Sequence, residues 1–206
     1  MAIDFAVDGD VRYLSHRDVL RMFSRALARA DLPVRYTAGF NPRPRLSIPL
    51  PRSVGVASDA ERLVLELTEA VDPQTVVARL GPQLPAGFAL TRAQTLDCGR
   101  RCVPVGVTYG LPLSAEQCRT VGDRAVALLD PSDPIPVLRK NRKTGRVKEL
   151  DIRPFIHSIR VGPDQLVMRL HLTDGMTARP REILEALGIA ADGMGHRIRR
   201  LEIEWQ

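Results

Sequence analysis

The stretch "LELTEAVDPQTVVARLG" (65–81) returns in similar form as "LHLTDGMTARPREILEALG" (170–188), half a chain further on. Each copy opens with alternating residues that end in Thr and an acid, as a strand does. A proline then begins a helical pattern, because its fixed φ and missing N–H do no harm in a first turn. We expect Gly81 and Gly188 to supply left-handed caps after these helices.

Upstream of these segments the two halves agree again. Ser15 and Ser114 each precede a helical pattern, and Asp18 and Gln117 stand three residues later, as in a capping box. Similar strand entries follow, "LPV" at 32–34 and "IPV" at 135–137. The order strand, helix, strand, strand, helix, strand is therefore expected twice.

We predict an α+β fold of tandem duplicated ferredoxin-like (βαββαβ) units with antiparallel sheets. The first unit is expected at 1–96, a linker at 97–103 and the second unit at 104–206. The strands of the first unit are expected near 2–7, 33–37, 45–50, 62–68 and 87–95. Those of the second are expected near 104–112, 135–140, 147–160, 165–173 and 196–205.

The composition of the 206 residues indicates a cytoplasmic protein. The sequence has no apolar run long enough to cross a membrane, and its N-terminal segment lacks the features of a signal peptide. Cys98, Cys102 and Cys118 are odd in number, which suits a reducing compartment.

The pair Cys98 and Cys102 resembles the start of the three-cysteine iron–sulfur motif of radical SAM enzymes. The third cysteine would fall at Val105, so this chain cannot by itself hold that cluster, which needs thiolates. His157, His171 and His196 lie in predicted strands at no spacing typical of metal ligands. We therefore predict no metal and no cofactor.

The net charge of +6 is concentrated in residues 1–56 and 100–160. Four arginines recur at four-residue steps along the first predicted helix, where neighbouring like charges slightly destabilise a helix. A polyanion would offset that cost by releasing counterions. We favour RNA as the partner. One alternative is an acidic protein surface, and another is that the charge serves only solubility. The predicted RNA- or anion-binding residues are Arg17, Arg21, Arg25, Arg43, Arg45, Arg139, Lys140, Arg142, Lys143 and Arg146.

Two segments carry most of these residues outside the helix. "YTAGFNPRPRLSIPLPR" (36–52) is rich in proline, which indicates an exposed edge or loop, with Gly39, Phe40, Asn41 and Pro42 as its structural turn. "LRKNRKTGRVK" (138–148) predicts a hairpin that turns near Thr144-Gly145. The alternative interpretation is that its charges discourage unwanted strand pairing.

His16 is the single candidate for catalysis. A helix N-terminus lowers the basicity of an imidazole and leaves it available as a base. Such a base would suit metal-independent RNA cleavage, with arginines stabilising the phosphate. The alternative is a histidine that only helps to cap the helix or to hold a neighbouring loop.

The motifs "LSHRD", "GFNPRPRLS" and "DIRP", within a likeness that covers nearly the whole chain, resemble a bacterial family called radical SAM-linked proteins. In that family the domain is free-standing or fused behind a radical SAM and B12-binding-like protein. The resemblance implies a separate radical SAM protein as partner and a looser relation with RNA. It brings no established activity. This chain would be the free-standing form.

These observations favour a non-catalytic accessory protein that binds transfer or ribosomal RNA, or presents substrate to a radical SAM enzyme. A metal-independent RNA endonuclease that uses His16 is one alternative. A protein adaptor for the radical SAM partner is the other. No membrane partner is expected.

Overall fold

The computed structural model describes residues 1–97, 101–130, 132–140, 144–191 and 193–206. The chain divides into two compact units: unit 1 is residues 1–103 with residue 206, and unit 2 is residues 104–205. The described residues form four α-helices and antiparallel strand pairs, which confirms the predicted α+β class.

Unit 1 packs two helices on one sheet. Its elements are β1 (Ala2–Val7), α1 (His16–Arg29), β2 (Leu46–Ser47), β3 (Ala57–Leu65), α2 (Pro73–Leu80) and β4 (Phe88–Gln94). The strand order is β4-β1-β3-β2, and each neighbouring pair is antiparallel.

The core of unit 1 forms between α1 and the sheet. Val19, Phe23 and Leu27 recur along one side of α1, as the helical period requires, and all are buried. Phe23 packs edge-on against Phe5 of β1, with ring centroids 4.9 Å apart. Burying one such side chain contributes about 1.5–3 kcal/mol, so this contact fixes α1 on β1.

Unit 2 has a similar sheet and an additional hairpin. Its elements are β5 (Pro104–Pro112), α3 (Ala115–Ala127), β6 (Pro136–Lys140), β7 (Val147–Asp151), β8 (Ile156–Val161), β9 (Gln165–His171), α4 (Pro180–Ala186) and β10 (Arg199–Trp205). The strand order is β10-β5-β9-β8, again antiparallel throughout, and β6 and β7 form a separate two-stranded sheet.

The two units share one connectivity when the β6–β7 hairpin is set aside. In both, the last strand lies beside the first, followed by the third and then the second. The predicted helix starts are confirmed. Ser15 accepts a hydrogen bond from the Asp18 N–H, and Ser114 forms a complete capping box with Gln117.

Arginines of unit 1 hold the ends of its helices. Arg79 of α2 donates from Nη2 to the carbonyl of Asp31, just beyond α1, at 2.6 Å. In return, Arg29 of α1 donates from Nη2 to the carbonyl of Gln83, just beyond α2, at 2.7 Å. Carbonyls at a helix C-terminus lack partners within the helix and attract cations. Each helix is therefore capped by its neighbour.

Unit 2 repeats this device with other residues. Arg124 of α3 donates from Nη1 to the carbonyl of Leu187 at the end of α4, at 3.1 Å. Arg153 donates from Nη2 to the carbonyl of Leu129 and from Nε to that of Asp130 at 3.1 Å, both beyond α3. We call Arg29, Arg79, Arg124 and Arg153 the arginine clamps.

Several predicted strands differ from those observed. The strand expected at 147–160 is interrupted by a 3-10 turn at Arg153–Phe155, because Pro154 cannot donate to a ladder. The strand expected at 33–37 forms only isolated bridges, at Val34 and Tyr36. His196 lies in the 3-10 turn Gly195–Arg197 and not in a strand.

The two cap glycines also differ. Gly188 has φ +74°, which confirms the left-handed cap. The same prediction for Gly81 is wrong: its φ is −51°, and the chain continues into a 3-10 turn, Gly81–Gln83, that Pro82 opens. Gly188 also makes room for a clamp, because a Cβ there would lie 1.9 Å from Nη1 of Arg124.

We expect Gly188→Ala to lower the free energy of unfolding by about 2 kcal/mol, because a left-handed alanine costs about 1–2 kcal/mol and Arg124 must also move. Gly81→Ala is the matched control. It meets no atom within 4 Å and should stabilise by about 0.5 kcal/mol. Urea unfolding measures both, and equal effects would contradict the distinction.

Candidate functional site

The first turn of α1 carries a negative charge, on Asp18, beside the predicted row of arginines. The Ser15 hydroxyl donates to Oδ2 of Asp18 at 2.6 Å, and this hydrogen bond holds the pKa of Asp18 below its ordinary value. Asp18 is therefore ionised at neutral pH, in the first turn, where the helix dipole favours a negative charge.

The four arginines of α1 are not equivalent. Arg29 is a clamp. Arg21 pairs with Asp18 at 3.4 Å, and both side chains are largely exposed, so the pair is worth little. Arg17 and Arg25 are exposed, and within the described parts of the chain neither has a carboxylate within 4.0 Å. These two remain available to an external anion.

An open groove runs between α1 and the turn that follows α2. Its volume is about 600 Å³. It is lined by Leu14, Asp18, Arg21, Met22, Arg25, Arg29, Gln83, Leu84 and Pro85. We call this groove the α1 groove. Its guanidinium groups suit phosphate because their planar fork donates two parallel hydrogen bonds. Two predicted arginines, Arg21 and Arg25, thus meet here beside Arg29, and Arg17 lies on the same helix outside the lining.

The segment 35–45 forms a hairpin-like loop in unit 1. The Thr37 N–H donates to the Arg43 carbonyl at 2.8 Å, and the Arg43 N–H donates to Thr37 Oγ1 at 3.0 Å. The predicted turn residues Gly39, Phe40, Asn41 and Pro42 are all exposed at its tip, and Gly39 has φ +120°. Arg45 pairs with Glu66 at 3.3 Å, whereas Arg43 is exposed.

His16 lines a different and much smaller space. That cavity has a volume of about 10 Å³ and also contacts Arg52 and Glu61; a volume of this size holds about one water molecule. Glu61 is 2% exposed. The half-buried imidazole therefore lines this small cavity and does not line the α1 groove.

The predicted basic residues of unit 2 are divided in the same way. Arg139 donates to Glu182 with both Nε and Nη2, at 2.8 and 2.7 Å, so its charge is compensated. Lys140 and Arg146 are exposed at the turn end of the β6–β7 hairpin. Arg142 and Lys143 lie outside the described residues. All three lysines of the chain occur at 140, 143 and 148.

The sequence did not reveal the structural role of Arg52. Its Nη1 donates to the carbonyls of Arg12 at 2.7 Å, of Ser53 at 3.1 Å and of Val56. Arg153 of "DIRP" likewise holds carbonyls beyond α3. In the sequence, Arg52 and Arg153 each stand next to a proline. That pairing is too common to predict the structural role of either arginine.

Two features are absent from the described parts of the chain: a group of three or more metal ligands, and a membrane-spanning helix. No group of three or more His, Cys, Asp or Glu side chains there has a geometry that could hold a metal ion. No helix among those residues is both long and apolar enough to cross a bilayer. Cys118 is buried and Cys102 half-buried, and Cys98 lies outside the described residues.

The fold and the groove define a class of protein: two α+β units of one connectivity, the first with a cationic groove. A search of curated proteins finds no match. The chain belongs to the bacterial family described as "Uncharacterized protein conserved in bacteria (DUF2344)", whose model matches residues 1–181. That match covers unit 1 and most of unit 2.

We expect Arg52→Leu to lower the free energy of unfolding by about 2 kcal/mol, because the carbonyls that Arg52 binds lose a charged donor. Arg43→Leu, on the exposed loop, removes the same charge and should change stability by less than about 0.5 kcal/mol. Urea unfolding compares the two variants. Equal losses would show that Arg52 has no special structural role.

Proposed function

We propose that this protein is a non-catalytic accessory protein that binds structured RNA through the α1 groove and the 35–45 loop of unit 1. We further propose that its cytoplasmic partner is a radical SAM protein, to which it presents the RNA. The partner rests on the resemblance of "LSHRD", "GFNPRPRLS" and "DIRP" to radical SAM-linked proteins. The RNA rests on the charges of unit 1.

The observation that carries the proposal is a difference between two helices in equivalent positions. α1 contains four arginines and one acid. α3, the first helix of unit 2, contains two arginines and two acids and has no net charge. Because the same connectivity forms with and without the arginine row, folding does not require Arg17, Arg21 and Arg25, whereas Arg29 is a clamp.

The grooves beside these helices differ in the same way. The groove between α3 and the residues after α4 has a volume of about 260 Å³ and one arginine, Arg124, which is already a clamp. The α1 groove contains Arg25, whose guanidinium has no carboxylate partner within the described residues. A phosphate backbone gains from such arginines by releasing its counterions.

The proposal also includes a more specific fold assignment. We interpret the shared connectivity as two ferredoxin-like units that arose by duplication. In that interpretation unit 1 acquired the cationic groove and unit 2 acquired the β6–β7 hairpin. Sheets of this architecture frequently present RNA, although fold alone does not determine function.

RNA cleavage by His16 is less favoured, because His16 lines a small cavity and not the groove that contains Arg21 and Arg25. A base must come within hydrogen-bond reach of the proton that it removes. Incubation of RNA with chelator-treated protein and with His16→Ala tests this. Cleavage by the wild type alone would restore the endonuclease alternative.

The RNA proposal predicts a steep salt dependence. Binding of labelled transfer RNA or a ribosomal RNA fragment, followed by anisotropy, should weaken strongly as salt rises. Arg17→Gln with Arg25→Gln should weaken binding and reduce the slope of log K against log salt by about 1.5, since each lost phosphate contact contributes about 0.7–0.9.

The matched control is Arg119→Gln with Arg160→Gln, which removes two exposed arginines of unit 2 and should leave the slope nearly unchanged. Equal losses in both double variants would indicate a general effect of net charge. Affinity that hardly responds to salt would contradict phosphate contacts. A protein partner that co-purifies in nuclease and high salt would instead favour the adaptor alternative.

A further inference from the structure

Two histidines that are distant in sequence meet on unit 2. Nδ1 of His157 on β8 lies 3.1 Å from Nε2 of His171 on β9. The rings stand nearly perpendicular, with centroids 4.8 Å apart, and both residues are exposed. Two imidazole nitrogens therefore lie side by side at a surface that an ion can reach.

The sheet creates this pair through an irregularity. The pairing of β8 with β9 shifts register between Ile156 and Ser158, so His157 is the extra residue of a bulge. Bulges commonly redirect a side chain beside a functional site. Strict alternation along β8 would bury only one of Ile156 and Ile159, yet both are buried. The extra residue of the bulge accounts for this, and it places His157 beside His171.

A carboxylate approaches the same place across a glycine. His171 is paired with Gly106 of β5, and Gly106 is paired with Glu204 of β10. A Cβ at position 106 would lie 2.9 Å from Oε1 of Glu204, so the carboxylate lies over the glycine. It reaches as far as β9, where Nε of Arg169 donates to Oε1 at 2.7 Å.

We propose that His157 and His171 form a binding site for a divalent transition-metal ion, with the charge of Glu204 nearby and the remaining coordination positions open to water. Metal–imidazole bonds measure about 2.0–2.1 Å. Two such bonds to nitrogens 3.1 Å apart enclose an angle of about 100°. That angle is close to tetrahedral or square values.

The ligand chemistry selects the class of ion. Neutral imidazoles suit Cu²⁺, Ni²⁺ and Zn²⁺, whereas Mg²⁺ and Ca²⁺ require oxygen ligands. Because no third ligand is preassembled among the described residues, the ion retains open positions.

The test is a titration of chelator-treated, tag-free protein with Ni²⁺ by calorimetry. One equivalent should bind to the wild type, and His157→Gln or His171→Gln should weaken that binding at least tenfold. His196→Gln replaces another exposed histidine of unit 2 and should leave binding unchanged. Absence of saturable binding, or its persistence in either ligand variant, overturns the proposal.

A second measurement protects the test against loss of folding. The electron paramagnetic resonance spectrum of the wild type with one equivalent of Cu²⁺ should show hyperfine coupling to two imidazole nitrogens, as two histidine ligands require. Coupling to a single imidazole, or a spectrum dominated by thiolate, would place the ion elsewhere. This outcome is independent of RNA binding by unit 1.

Discussion

The contact on which this structure most depends is a guanidinium group placed on the carbonyls at the end of a helix. The carbonyls of a last turn have no partner within their own helix, and they attract positive charge. In unit 1 the two helices exchange such contacts, Arg79 holding the end of α1 and Arg29 the end of α2. Short helices of 8 and 14 residues are fixed in this way, since isolated helices of such length are marginal.

This use of arginine changes the meaning of the chain's positive charge. The sequence shows a row of equal cations on α1, but the structure separates Arg29, which holds a carbonyl, from Arg17 and Arg25, which hold nothing among the described residues. The same separation divides Arg139 from Lys140 in unit 2. The area of cationic surface is therefore smaller than the composition suggests. It is concentrated at residues such as Arg17, Arg25 and Lys140, which can donate to an external anion.

Local signals in the sequence were sufficient for most of the helices and strands. Ser15 and Ser114 marked helix starts, because capping depends on residues three apart, and alternation located β1 and β5. These local signals did not predict contacts between residues that are distant in sequence. Arg79 and Asp31, or His157 and His171, are joined only by tertiary structure. The position of His16 beside a small cavity likewise depends on packing that no local pattern encodes.

Lysine is confined to positions 140, 143 and 148, at and beside the β6–β7 hairpin, while every clamp uses arginine. A guanidinium can serve several acceptors from one rigid plane, which an ammonium does less well. Amine-reactive reagents consequently address this hairpin and the α-amino group, and leave the contacts that hold the helices chemically intact. The chain thus offers a natural point for attaching a fluorophore, a cross-linker or a solid support.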